Sequence, residues 1–137
     1  MSETIRQRVK QVLKCDICLE KPFAPATVEP ADCVVSSLCL EAACKDRDSY
    51  RRSLGAMVGL LGPHGVLVLI GDLDETFYTV GDQKFQCVSL SQAFIQETLS
   101  ELGLSVLEFT LQQAQDRDQN QKCDYEASFH LIARKNV

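Results

Sequence analysis

The residues best equipped for chemistry crowd the first third of the chain. KCDICLEKPFAPATVEPADCVVSSLCLEAAC, Lys14 to Cys44, holds five of the seven cysteines and opens on the C-x-x-C pair Cys15 and Cys18. Thiols at that spacing serve a zinc knuckle or a redox couple. A zinc ribbon needs a second close pair on a second turn, and Cys33, Cys39 and Cys44 do not provide one. If ADCVVSSLCL is a single strand, Cys33 and Cys39 share a face but stand ~20 Å apart, at ~3.3 Å per residue. A redox couple is expected to open a helix that follows a strand. Here Pro22 and Pro25 follow instead. The spacing favours cysteines that act as small buried apolar side chains, with no metal. A thiol or metal protein built on Cys15 and Cys18 stays as an alternative.

Whatever the chemistry, a scaffold must position it. The chain has 137 residues, enough for one domain with one core. A net charge of −5 gives no reason to expect a nucleic acid or an anionic membrane as partner. The longest aliphatic run, VLVLI, is too short to span a bilayer. The first ten residues, MSETIRQRVK, lack an apolar signal core. A reducing, cytoplasmic setting with free thiols is the default expectation.

Periodicity orders the elements. Ile5, Val9, Val12 and Leu13 recur at helical spacing, and VLKCDI reads as a short strand beyond them. ADCVVSSLCL reads as a buried strand. Asp48 or Ser49 would cap a helix burying Tyr50, Leu54, Met57, Val58 and Leu61, stopped by Gly62-Pro63. Within it Gly55 and Gly59 suggest close packing against a sheet. GVLVLIGD, bounded by glycines, has the pattern of a central parallel strand. A hairpin is expected around Gly81-Asp82. Ser89, with Gln92 three residues on, would cap a helix burying Phe94, Ile95, Leu99 and Leu102 and ending at Gly103. LSVLEFTLQ and ASFHLIARK, joined by the polar stretch QAQDRDQNQKCD, would close the chain as an antiparallel pair.

The expected class is therefore α/β, with helices on the faces of a sheet. In such sheets ligands bind outside the carboxyl ends of the strands. That directs attention to Asp16 and Ile17, Ser36 and Ser37, and Gly71 and Asp72. His64 and His130 fall in no motif.

VKQVLKCDI, ADCVVSSLCLEAAC, GPHGVLVLIGDL, FYTVGDQKF and LIARK, in that order, resemble the small-molecule N-methyltransferases acting on nicotinamide, indolethylamines and phenylethanolamine. The resemblance covers nearly the whole chain and is weakest over QAQDRDQNQKCDYE. It implies the C-terminal part of a Rossmann-like class I methyltransferase sheet. Residues 1–137 would form a single partial domain whose cofactor is S-adenosylmethionine. The family's glycine loop and the acid for the ribose hydroxyls have no counterpart, and the seven glycines never form G-x-G.

Residue by residue, the resemblance puts Asp16 and Ile17 at the adenine, as acceptor and ring cover, and Ser37 beside the cofactor. It implies Gly71, Asp72, Tyr78 and Cys87 on the substrate side, with Gly71 where nicotinamide enzymes carry an acid. No residue is implied as certainly catalytic. For Asp72, Asp74 and Glu75 the plain alternative is solvated loop acids. For Phe77 and Tyr78 it is a satellite core under a loop. The implied partner is a small amine or pyridine-type nitrogen compound. The family's usual strand order, 3-2-1-4-5-7-6, would leave VLKCDI without a neighbour. It would also leave CVVSSLCL as an unprotected apolar edge, for which aggregation or dimerisation is expected. The resemblance implies a fragment inactive alone; a catalytically dead binding or regulatory module is the alternative.

Overall fold

GPHGVLVLIGDL is the spine of the molecule. The computed structural model describes residues 2–113 and 127–137. In it this segment lies within the long strand β2 (Leu61–Leu73). From Gly65 on, its residues alternate between buried and half-buried, as a strand covered on both faces should, while Pro63 and His64 are exposed. On one side β2 pairs in parallel with β1 (Ala31–Ser37). On the other it pairs antiparallel with β6 (Ala127–Lys135), and β6 pairs antiparallel with β5 (Leu104–Gln113). The sheet order is β1-β2-β6-β5, four strands with β1 at an edge. A separate hairpin, β3 (Phe77–Val80) and β4 (Gln83–Gln86), turns at Gly81-Asp82, where Gly81 takes a positive φ of 61°.

Four helices accompany the described strands: α1 (Glu3–Arg8), α2 (Leu40–Ala43), α3 (Arg47–Val58) and α4 (Gln92–Glu101). α3 buries Tyr50, Ser53, Leu54, Met57 and Val58, and α4 buries Phe94, Ile95, Thr98 and Leu99. With Leu67, Leu69, Phe129 and Leu131 from the sheet they form one core.

Several elements differ from their sequence expectation. α1 buries nothing, and Ile5, Val9 and Val12 are exposed, because no described neighbour lies over them. VLKCDI forms no strand; without a partner its backbone has no ladder to join. β1 stops at Ser37, so Cys39 lies beyond it and leads into α2. α3 is capped by Asp46, whose Oδ1 accepts from the Ser49 N–H at 2.7 Å. It ends at Gly59, while Gly62 and Pro63 already belong to β2. Gly55 and Gly59 lie outside the buried set of α3. α4 is capped by Ser91, not Ser89, through a 3.2 Å bond from the Phe94 N–H. The stretch 114–126 lies outside the described residues.

Candidate functional site

Two parallel strands bring their carboxyl ends side by side, and the chain leaving each one builds the site. After Ser37 the backbone turns through Leu38, which has a positive φ of 56° and donates its N–H to Ile70 O at 2.9 Å. α2 follows at once and points Glu41 inward. β2 continues through Gly71 and Asp72 to Leu73. The chain then passes Glu75, forms the hairpin and returns. On the way back the Cys87 N–H donates to Thr76 O at 3.0 Å and the Val88 N–H to Glu41 O at 3.1 Å, while Leu90 O accepts from the Asp74 N–H at 2.9 Å. This lacing encloses the end of β2.

Glu41 is the central group. It is only 3% exposed, and neither carboxyl oxygen makes a hydrogen bond of good geometry. Burial pushes its carboxyl up to about 7, and the charges of Asp72 and Glu75 push the same way. The backbone at Glu41 and Asp72 offsets only part of this. Gly71 lies against the same carboxyl. A Cβ built there would fall 2.8 Å from Glu41 Oε1 and 2.9 Å from the Phe129 ring.

Asp72 is half-buried, and burial raises its carboxyl above the ordinary value. Hydrogen bonds with Ser128 and Glu75 pull it back. Glu75 is 7% exposed, so it is no solvated loop acid, whereas Asp74 is exposed. The Cys87 thiol donates to Glu75 Oε1 at 3.3 Å. Tyr50, from α3, is fully buried with its hydroxyl unpartnered. Burial and then the charge of Glu41 hold that hydroxyl far above its usual range.

Gly71, Asp72 and Cys87 thus gather around Glu41 and Glu75. For Glu75 the sequence leaves a solvated loop acid open as the alternative, and it does not single out Glu41. Its signal was a lone acid in the apolar run LCLEAAC, directly after a strand. Tyr78 stands in β3 opposite Phe85.

On the other side of α2, Asp16 opens a tight turn. Its N–H donates to Pro22 O at 2.8 Å, and its Oδ1 accepts from the Cys18 N–H at 3.0 Å. Burial raises the Cys39 thiol, and so do the charges of Cys15, Glu41 and Cys18. Ser37 is exposed at that end of β1. Asp16 is exposed and offers a carboxylate acceptor with one oxygen uncommitted to the turn. Ile17, next to Asp16, is buried, and its side chain is part of the core.

The cysteines are not the buried apolar set that the spacing favoured. Cys15, Cys18, Cys33 and Cys39 are exposed, Cys44 is buried and Cys87 is half-buried. The Cys18 thiol donates to Ala43 O at 3.5 Å. A cavity of about 650 Å³ opens between residues 18–28 and α3, lined by Pro22, Phe23, Val28, Gly55, Ala56 and Leu60 among others. None of Glu41, Asp72 and Glu75 lines it.

Comparison with known proteins agrees with this architecture. The chain is 38% identical to human nicotinamide N-methyltransferase over 133 residues, which is 97% of the chain and 50% of that protein. It is 38% identical to rabbit (Oryctolagus cuniculus) indolethylamine N-methyltransferase over 105 residues, 77% of the chain and 40% of that protein. It therefore spans about half the length, or less, of the curated relatives it matches. In fold it is similar to the N-methyltransferase NodS of Bradyrhizobium japonicum, solved with S-adenosyl-L-homocysteine. The TM-score is 0.60 at 22% identity, covering 89% of the chain and 52% of NodS. The sequence profile of the NNMT/PNMT/TEMT family matches residues 1–136, and with the sheet order and ordered sequence blocks already described, the chain belongs to that family.

Proposed function

We propose that this chain carries the substrate side, and part of the adenine side, of an S-adenosylmethionine-dependent N-methyltransferase acting on a small cationic amine. The observation that supports the reading best is the enclosed acid set. Glu41 is buried with no hydrogen bond of good geometry at either carboxyl oxygen, and the charges of Asp72 and Glu75 act on it. Three carboxyls so placed repel one another when ionised, and an ammonium group relieves that repulsion. A neutral pyridine nitrogen would not, so nicotinamide makes little use of this arrangement.

S-adenosylmethionine supplies an electrophilic methyl group on a sulfonium. Asp16 and Ser37 would hold its adenine side. The acids would grip the ammonium and fix the direction of the nitrogen, and orientation of this kind is the main contribution a protein makes to an in-line displacement. The nitrogen must lose a proton before its lone pair can attack. Glu41, titrating near pH 7, is suited to accept that proton close to neutrality.

The test is methyl transfer from labelled S-adenosylmethionine to tryptamine, 2-phenylethylamine and nicotinamide. It compares the chain alone with the chain joined to the amino-terminal half of indolethylamine N-methyltransferase. The joined protein should methylate the amines in preference to nicotinamide, Glu41→Gln should lower that activity by ~10²–10⁴-fold, the range for a positioned proton acceptor, and the chain alone should be inactive. Preference for nicotinamide, or amine activity indifferent to Glu41→Gln, would overturn the reading.

A further inference from the structure

Neither the three acids nor Asp16, Ile17 and Ser37 line the cavity of about 650 Å³ between residues 18–28 and α3. Its volume is that of a small-molecule pocket. One wall is a loop whose shape is fixed by its own turns. The Asp16 N–H donates to Pro22 O at 2.8 Å, the Ala24 N–H to Lys21 O at 3.0 Å and the Ala26 N–H to Phe23 O at 2.9 Å. The Cys18 thiol ties the loop to Ala43 O at the end of α2. Held in this way, the loop does not settle onto the floor formed by α3. The three atoms nearest to a Cβ built on Gly59 all belong to Gly55 and Ala56 of the floor itself. Gly55, Ala56 and Leu60 are only half-buried, and Leu19 and Val28 of the wall are 45% and 38% exposed. This is apolar surface that a ligand would remove from water.

The charges of the lining say what kind of ligand. Lys21 from the wall and Arg52 from α3 face one acid, Glu20, so the lining is net positive in a chain of net charge −5. Among the described residues neither cation forms an ion pair, and Arg52 has only a 3.4 Å bond to Ser49 Oγ. Arg52 stands seven residues before Gly59, about 10 Å along the helix. The cavity therefore has a cationic end and an apolar body. We propose that it is a second binding site, separate from the acid set, for a medium-chain carboxylate. The carboxylate pairs with Arg52, whose planar fork matches its two oxygens, and with Lys21. The apolar chain runs over Gly55, Ala56 and Gly59, beneath Phe23 and Val28. An uncharged chain of the same length leaves both cations without a partner and gains only the apolar contact.

The experiment titrates the 137-residue chain with octanoate and with octanol, by calorimetry and by amide NMR. Octanoate should bind once per chain and move the amide signals of residues 18–28 and 52–60, leaving those of Glu41 and Gly71 in place. Octanol should bind at least about tenfold more weakly, and Arg52→Glu should weaken octanoate by at least about tenfold, the effect of losing a charged hydrogen bond. Ala56→Phe, which fills the floor, should abolish binding. Arg52 is exposed, so Arg52→Glu keeps the fold and decides the matter where Ala56→Phe does not fold. Octanol binding as tightly as octanoate, or octanoate binding indifferent to Arg52→Glu, overturns the proposal. So does a chain that ignores octanoate. If Ala56→Phe then dissociates a self-associated chain in analytical ultracentrifugation, the cavity belongs to a second copy instead.

Discussion

A carboxyl group buried without a hydrogen bond is destabilised mainly in its charged form, and this ties the stability of the fold to pH through Glu41. The unfolded chain gives up this proton near pH 4.5, the folded chain near 7. Between those values the folded state holds the extra proton. The associated stability is therefore fully present below about 4.5 and is lost as pH rises through about 7. The full swing is on the order of 3 kcal/mol. Asp72, raised in the same direction, adds to the trend. Urea denaturation at a series of pH values should show stability falling across this window, and Glu41→Gln should flatten most of the slope. A wild-type profile level from pH 4.5 to 7 would show that Glu41 is not buried in the charged-averse setting described here.

Capping shows at the level of elements how local chemistry and tertiary context divide the work. The sequence around α4 offers two serines, Ser89 and Ser91, and the capping-box spacing to Gln92 favours the first. The structure uses the second, because the Cys87–Leu90 stretch is held extended by its bonds to Thr76, Glu41 and Asp74 and cannot begin a helix. Ser91→Ala should therefore cost about 1 kcal/mol of stability in chemical denaturation, the ordinary value of an N-cap side chain. Ser89→Ala should cost much less, since the Ser89 contact to Arg47 is made by its carbonyl, which the substitution keeps. Equal losses at the two positions would contradict the observed cap. α3 follows the same pattern, with Asp46 in place of the expected Asp48 or Ser49.

For the molecule as a whole, the exposed edge of the sheet matters most. Among the described residues β1 pairs with β2 and with no other strand, which leaves its outer side as a sheet edge, and Val35 is 64% exposed. Edges of this kind recruit other strands unless charge or cover protects them. The isolated chain is expected to self-associate in analytical ultracentrifugation as its concentration rises. Val35→Lys should shift it towards monomer with little change in far-ultraviolet circular dichroism. A wild-type chain that stays monomeric throughout would show the edge to be protected by some other means.

The amino-acid sequence by itself was enough for the class of fold. An aliphatic run between glycines marked β2, helical spacing marked α3 and α4, and alternation marked β5 and β6, because burial of one face leaves its period in the residues. Ordered blocks of resemblance were enough for the family and pointed to Asp16, Gly71 and Asp72. Only the tertiary structure decided that Cys39 leaves its strand, that Glu75 is buried, and that Glu41 lies against Gly71 at the closed end of β2. Periodicity records which face of an element is apolar. It does not record which end of another element, thirty residues away, will fold across that face. A lone acid after a strand reads the same whether it meets water or a glycine without room for a side chain, and that difference arises only when β1, β2 and the returning Cys87–Leu90 segment close around it.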